Sequence, residues 1–213
     1  MIVLGLDTCL VACSVAVIEG DRVLASASEA MARGHQERLA PMVEAVMGEA
    51  RLSFTALQRL GVTVGPGSFT GLRVGLAFAK GMAQALAIPA CGIGTLQALA
   101  VGVEGLSFAV VDARRGQVYV QAFEDGRPLM APDALGLDTA AARLAEVAMG
   151  RPLSLVGPGA ALLAAAAPQA RLIALEGADA RQVARLAARG EPGPLAPLYL
   201  RTPDAKLPAM AHP

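Results

Sequence analysis

The chain has 213 residues, enough for one large domain or two small ones. Hydrophobic residues make up 54% and charged residues 17%, which excludes an intrinsically disordered chain. Lys plus Arg and Asp plus Glu each number 18, and a net charge of zero argues against a protein that grips nucleic acid by itself through a basic surplus.

The first residues, "MIVLGLDTCL", carry no basic start and meet Asp7 at once, so they read as a strand rather than a signal peptide. Residues 2 to 28 give three short strands, "IVLGLD", "CSVAVIE" and "RVLASAS", with Gly20-Asp21 as the hairpin turn between the second and third. Residues 35 to 50 switch to helical period, since Leu39, Met42, Val43, Val46 and Met47 form one apolar stripe. Pro41 inside that pattern starts the helix close before it or bends it. Residues 61 to 65 return to strand. A Gly-Pro-Gly turn and a helix over about 69–87 follow, with Ser68 or Thr70 as cap. "ACGIG" is a strand, and Thr95 caps a short helix. The most apolar zone, 72–94, is interrupted by Arg73, Lys80, Gln84 and Pro89, short of the roughly 20 residues a membrane helix needs. A soluble cytoplasmic protein is expected, with no membrane partner.

The pattern then repeats. "SFAVVDAR" resembles "IVLGLDT", with Asp112 answering to Asp7, and "GQVYVQAFEDG" resembles "ACSVAVIEGD". An Ala-rich helical stretch over 138–149 leads to "LSLVGPGA", which echoes "VTVGPGS". Between the first two of these strands lies Arg114-Arg115, the best candidate for a local basic patch, although adjacent arginines are more often a solvated turn. Two halves in the same order imply an internal duplication. The fold class expected is α/β, two lobes each with a mixed sheet flanked by helices, over 1–104 and 105–213. The proline-rich end, "EPGPLAPLYLRTPDAKLPAMAHP", is expected to be extended, with Tyr199 and Leu200 packing back on the body and the last residues loose.

Such a duplicated half resembles the actin, Hsp70 and sugar-kinase architecture, in which two lobes close on a nucleotide. Backbone N–H groups at glycine turns can approach an anion, and an acidic side chain can hold Mg²⁺ through water. Asp7, Thr8, Gly65, Gly67, Ser68, Asp112, Gly157 and Gly159 occupy the corresponding positions. "GPGSFTG" is neither GxGxxG nor GxxxxGK[ST], so a tight connection is the competing reading. Catalytic residues are scarce. The histidines are His35 and His212, and four residues on from His35 stands Leu39, so a helical His pair for a metal is missing. No G-x-S-x-G elbow exists, and Cys9, Cys13 and Cys91 have neither metal spacing nor an activating partner. No catalytic residue, metal or cofactor is assigned. Gly71, Gly75, Ala79, Ala83 and Ala87 recur every four residues, a seam that suits close helix approach, either inside the chain or to a partner. Met42 and Met47 suit an adaptable contact surface or a core.

"LGLDT", "CSVAV", "RLAPMV", "VGPGSFTGLRVGLAFAKGMA", "IGTLQALA", "DARRGQVY" and "PLYLR" together resemble the TsaB (YeaZ) family, over residues 2 to about 201. The resemblance implies the two-lobed fold and descent alongside the catalytic subunit TsaD, whose metal-binding His-x-x-x-His reads His35 to Leu39 here. It implies a noncatalytic scaffold that pairs with a TsaD-like subunit through the two helices of the first lobe. A TsaE-like ATPase joins, and the complex transfers a threonylcarbamoyl group to adenosine 37 of tRNAs reading ANN codons. A homodimer through the same face is implied for the chain alone, with tRNA met only through the complex. The partner face is expected to carry His35, Leu39, Met42 and Val46 from the first helix, and Gly71, Arg73, Gly75, Ala79, Met82 and Ala83 from the second. Residues 9 and 10 read Cys-Leu where relatives often carry small hydroxyl residues, which weakens a phosphate site there. The alternative kept is an ATP-binding small-molecule kinase or ATPase using both lobes.

Overall fold

In the computed structural model, which describes residues 1–193 and 195–201, each half of the chain builds one sheet. The first half runs β1 (Ile2–Asp7), β2 (Ala12–Glu19), β3 (Arg22–Ala30), α1 (His35–Glu49), β4 (Arg59–Thr63), α2 (Phe69–Leu86), β5 (Ala90–Ile93) and α3 (Thr95–Ala100). The second runs β6 (Leu106–Arg114), β7 (Gln117–Glu124), β8 (Arg127–Pro128), β9 (Asp133–Gly136), α4 (Leu137–Ala148), β10 (Ser154–Val156), β11 (Arg171–Ile173) and α5 (Ala180–Arg189). The first sheet has the order β3-β2-β1-β4-β5, and the second β8-β7-β6-β10-β11, with β9 also on β7. In both, the opening hairpin is antiparallel and the next two pairings are parallel. The repeat legible in the sequence is therefore a repeat of topology. It is not a repeat of every element. Where α2 follows the first Gly-Pro-Gly, the second is followed by a 3-10 segment, Ala160–Ala166, with no side-chain cap and with Pro168 just beyond it. α2 does have its cap, since Ser68 Oγ accepts from the Gly71 N–H at 3.3 Å.

Alternation along each strand decides which helix covers which face. Leu4, Leu6, Leu60 and Val62 point to the face covered by α1 and α2. Val3, Gly5 and Gly61 point the other way, onto Val183, Ala184 and Ala187 of α5. In the second sheet, Phe108 and Val110 meet α4 and the 3-10 segment, while Ala109 and Val111 share a core with Leu96 and Leu99 of α3. Each half thus hands its last helix to the other half's sheet. Sequence reading placed no element over 180–189, although the signal is there: Asp179 as N-cap, Ala180, Val183, Ala184 and Ala187 on one stripe, and Arg181, Arg185 and Arg189 on the other side.

The approach of α5 is close enough to demand residues without a Cβ. A Cβ on Gly5 would sit 2.2 Å from the Ala180 carbonyl oxygen and 2.7 Å from the Ala184 nitrogen. One on Gly61 would lie 2.6 Å from the Ala187 Cβ. Arg59 closes the far end of α5, donating from Nη1 to the Ala187 and Gly190 carbonyls at 2.9 and 2.7 Å, where the helix dipole is negative. Asp7 closes the near end. One carboxylate oxygen accepts from Thr63 Oγ1 at 2.6 Å and from the Cys9 N–H at 3.1 Å, and the other accepts from the Ala178 N–H at 3.0 Å. Beyond α5 the chain runs as a strap. Gly193 donates to the Ala90 carbonyl, Leu195 is buried, and Leu198 donates to the Val64 carbonyl at 2.7 Å. Tyr199 then stacks on Phe69, and Arg201 donates to the Ala113 carbonyl in the second half at 2.6 Å. Tyr199 packs on the body as expected, while His212 and the loose end expected of the tail lie outside the described residues. Among the described residues no helix is long and apolar enough to cross a membrane.

Two predictions follow from this joint. Gly5→Ala is expected to lower unfolding free energy by about 2–4 kcal/mol in a denaturant titration, because backbone rather than a flexible side chain meets the new methyl. Gly48→Ala, in an α1 position with open space around it, is the control and is expected to be neutral or to gain up to about 1 kcal/mol. Burial, against the hydrogen bonds from Thr63, Cys9 and Ala178 and the nearby His35, holds the Asp7 carboxyl above its ordinary 3.8. The folded state therefore takes up this proton before the unfolded state does. The contribution is whole below the unfolded value and is lost as pH rises through the folded one. The stability difference between wild type and Asp7→Asn is expected to shrink as pH is raised from about 4 to 7, and a constant difference would refute it.

Candidate functional site

Two surfaces collect the residues singled out in the sequence. The first is the cleft between the lobes. The turn after β1 faces the β6–β7 hairpin, and the two Gly-Pro-Gly turns lie beside them. A cleft of about 360 Å³ is lined by Cys9, Val11, Gly67, Ser68, Asp112 and Tyr119, among others. The structure therefore brings Gly67, Ser68 and Asp112 together. It does not bring Asp7 to them. Asp7 has no exposed surface, and its carboxylate is consumed by the bonds that hold β1, β4 and the start of α5. The expectation that Asp7 reaches a metal through water is corrected on that ground.

The glycine turns have a further use. A Cβ on Gly67 would be 2.2 Å from the Cys9 carbonyl oxygen, and one on Gly157 would be 2.6 Å from that of Val110. The first turn lies directly on the turn after β1, and the second on β6, the strand that opens the second half. The Ser68, Gly157 and Gly159 N–H groups donate to the Cys9, Ile173 and Val110 carbonyls at 2.7, 2.9 and 3.0 Å. They are occupied by carbonyls rather than offered to an anion. The Gly65 carbonyl accepts from the Thr95 N–H at 2.8 Å and so ties the turn to α3. Asp112 accepts from the Arg114 N–H at 2.7 Å and pairs with its guanidinium at 3.4 Å. Thr8 turns its hydroxyl to the Gly71 carbonyl at 2.7 Å. Burial, helped by the Asp7 charge, pushes the Cys9 thiol up to about 12 and Cys13 up to about 11, so both stay protonated at neutral pH. Among the described residues no three His, Cys, Asp or Glu side chains converge as metal ligands would.

The second surface is the outer side of α1 and α2. Here the expectation from the small-residue seam is corrected. Gly71, Gly75 and Ala79 are buried against the chain's own first sheet. A Cβ on Gly71 would lie 2.0 Å from the Thr8 carbonyl oxygen, and one on Gly75 2.5 Å from Thr8 Oγ1. The seam exists for the turn after β1, not for a partner. His35, Met42 and Val46 are likewise on the buried side of α1, with the His35 Nε2 unpaired. Ala83 is half-buried against the core and Ala87 is the left-handed C-cap of α2.

What α2 shows to solvent is a different set. A groove of about 510 Å³ between α1 and α2 is lined by Gln36, Leu39, Phe69, Arg73, Val74 and Phe78. A second, of about 470 Å³ and almost wholly apolar, continues from Phe78 past Gly81, Met82 and Ala85 to Phe54. Arg73 and Met82 thus keep their places on a surface; Leu39 floors the groove but is itself buried, and the others expected there lie inside the fold. The Arg73 guanidinium lies 3.7 Å above the Phe69 ring, and Tyr199 reaches it from the strap, 5.7 Å from Phe69 and 3.4 Å from Arg73 Nε. Phe69 is 51% exposed and Tyr199 46%. Sequence reading missed Phe54, Phe69 and Phe78. The available signal was scarcity, since three of only five phenylalanines fall on this one face.

A family profile described as "TsaD: tRNA N6-adenosine threonylcarbamoyltransferase" matches residues 27–208. An uncharacterized Mycobacterium tuberculosis protein is 38% identical over 197 residues, covering 89% of this chain and 83% of that relative. The Escherichia coli tRNA threonylcarbamoyladenosine biosynthesis protein TsaB is 37% identical over 124 residues, or 56% of this chain and 53% of its own. The solved structure of YeaZ from Pseudomonas aeruginosa has a TM-score of 0.80 at 28% identity, covering 93% of this chain and 99% of that one. A ROK hexokinase from Thermus thermophilus, at TM-score 0.53 and 16% identity, shares the two-lobed actin/Hsp70-like fold alone. The chain belongs to the TsaD family, and its named relatives place it on the TsaB (YeaZ) branch.

Proposed function

We propose that this chain works in the making of threonylcarbamoyladenosine in tRNA, as a noncatalytic scaffold that docks and activates a TsaD-like catalytic subunit. A TsaE-like ATPase completes the complex, which modifies adenosine 37 of tRNAs reading ANN codons in the cytoplasm. The observation that carries the reading is the continuous apolar face of α2, from Phe69 through Phe78 and Met82 to Phe54. Monomeric soluble proteins seldom leave aromatic residues grouped in this way, and such groups serve as anchors when a partner buries them. The interlobe cleft supports the same reading from the other side, because Asp7 and three of the turn N–H groups already have internal partners. In the absence of the catalytic subunit, a second copy of the chain covers the face. Docking rests on the exposed Phe69 and Arg73 and the half-buried Phe78 and Met82, not on the buried seam.

Native mass spectrometry of the chain, alone and then mixed with its TsaD-like subunit, tests this. A homodimer that converts to the mixed complex is expected, and a monomer that ignores the subunit would overturn it. Phe69→Glu, at an exposed ring on this face, is expected to weaken pairing at least about tenfold with the fold retained, read by native mass spectrometry beside a thermal melt. Gly75→Leu is not a test of pairing, because its side chain meets Thr8 inside the fold and is expected to unfold the protein.

A further inference from the structure

The β6–β7 hairpin tip is built against the conformational preference of its residues. Arg114, Arg115 and Gly116 have φ of 65°, 55° and 72°, three successive left-handed residues, two of them with side chains. Arg115-Gly116 is the two-residue turn, and Arg114 sits at the register shift just before it. A left-handed residue with a Cβ is strained, and Asn, Asp or Gly would relieve that strain. The same chain shows the unstrained solution two elements later. The β7–β8 turn has the same left-handed pair, with φ of 49° and 76°, and fills it with Asp125-Gly126. The arginines are therefore not what the turn requires.

Their position gives them a use. The Arg114 side chain is 81% exposed, with Asp112 at 3.4 Å. Arg114 and Asp112 both border the interlobe cleft, whose wall also carries the Tyr119 ring and Val11, itself 44% exposed. Arg201 is brought to the base of the hairpin by its bond to the Ala113 carbonyl, and so adds a third guanidinium to this edge. Asp112 offsets one of these three guanidinium charges, and the edge still keeps a net positive charge in a chain whose net charge is zero. Guanidinium forks bind phosphate oxygens, and an aromatic ring beside an apolar floor accepts a nucleobase. A cleft of about 360 Å³ is at the small end for a ligand site and holds one base rather than a folded peptide.

We propose that the Arg114-Arg115 hairpin is a contact for RNA backbone, placed so that one base of the bound strand enters the cleft against Tyr119. The inference deepens the reading given under Proposed function and rests on it, since the RNA available to this complex is the tRNA. It differs from the expectation that tRNA is met only through other subunits. The hairpin is on the second sheet, and its base lies next to the Phe69 end of α2, joined to it by the short strap from Tyr199 to Arg201, so RNA on the hairpin and a subunit on α2 would be neighbours on the chain.

The test uses the assembled complex and a fluorescently labelled tRNA, titrated at several salt concentrations. Arg114→Asn with Arg115→Asn keeps residues that accept the left-handed turn, so the fold is retained. The double variant is expected to bind tRNA about tenfold or more weakly at low salt, and the slope of log affinity against log salt is expected to fall by about 1.4–1.8, two phosphate contacts' worth. Pairing with the catalytic subunit, read by native mass spectrometry on the same samples, is expected to be unchanged. Equal affinity and equal slope for the variant would overturn the inference and leave the docking reading standing. A variant that loses the subunit and not the RNA would also overturn it, by assigning the hairpin to a protein contact. A wild-type chain that never pairs with the subunit would instead sink the docking reading itself. Tyr119→Leu is expected to weaken binding several-fold without changing the salt slope, and an unchanged affinity would remove the base from the proposal.

Discussion

The distance at which α5 lies on the first sheet sets most of this molecule. Gly5 and Gly61 present bare backbone on adjacent strands, and α5 answers with alanines, so a helix and a sheet meet nearly at main-chain contact. Because that helix comes from the far end of the chain, the contact also binds the two halves into one body. α3 makes the reciprocal crossing, from the first half onto the second sheet. A helix exchanged in each direction gives two lobes whose cores cannot be separated without exposing apolar surface on both, at roughly 25 cal/mol per Å².

The same economy of distance explains the fate of the nucleotide apparatus that the fold suggests. Glycine turns serve close approach of backbone either to an anion or to another strand. Here both Gly-Pro-Gly turns approach a strand, and their N–H groups reach carbonyl oxygens. The aspartate ending β1 is drawn inward to seat the first turn of α5, and the helix behind the first turn is pulled down onto Thr8 by its small residues. Parts that could line a nucleotide cleft serve here as joints. Two distinct outer features remain: an apolar ridge along α2 and a basic hairpin on the second sheet. The C-terminal strap touches both, through Tyr199 on Phe69 and Arg201 on Ala113.

Much of the fold was legible. The alternation of β1 and β2, the cap at Ser68, and the echo of Asp7 in Asp112 are local patterns, and local sterics turn them into strands and helices. The cap expected at Thr95 is corrected: Thr95 is the first residue of α3, and the capping position falls to Gly94, which offers no side-chain bond. The duplication was readable because the two halves keep the same order of such patterns. α5 was overlooked although its stripe and cap were as clear as any other. After the second Gly-Pro-Gly the echo of the first predicts a small-residue helix start, and the structure corrects it to a 3-10 segment, because no side chain caps it and Pro168 stops it within two turns.

For the site, the sequence by itself determined the family, the two-lobed topology, and the lack of a histidine partner four residues after His35. It also determined that the helix after Ser68 carries a seam of small side chains, a property of spacing alone. Only the tertiary structure decided which way that seam faces. Periodicity fixes the residues that share one side of a helix but carries no information on whether sheet, solvent or partner lies opposite, and here Thr8 and Val62 lie opposite. Likewise Asp7 was visible as a carboxylate at a strand end. Its withdrawal from the cleft depends on Thr63 and on Ala178, 171 residues away, brought within hydrogen-bond distance only when α5 crosses to the first sheet.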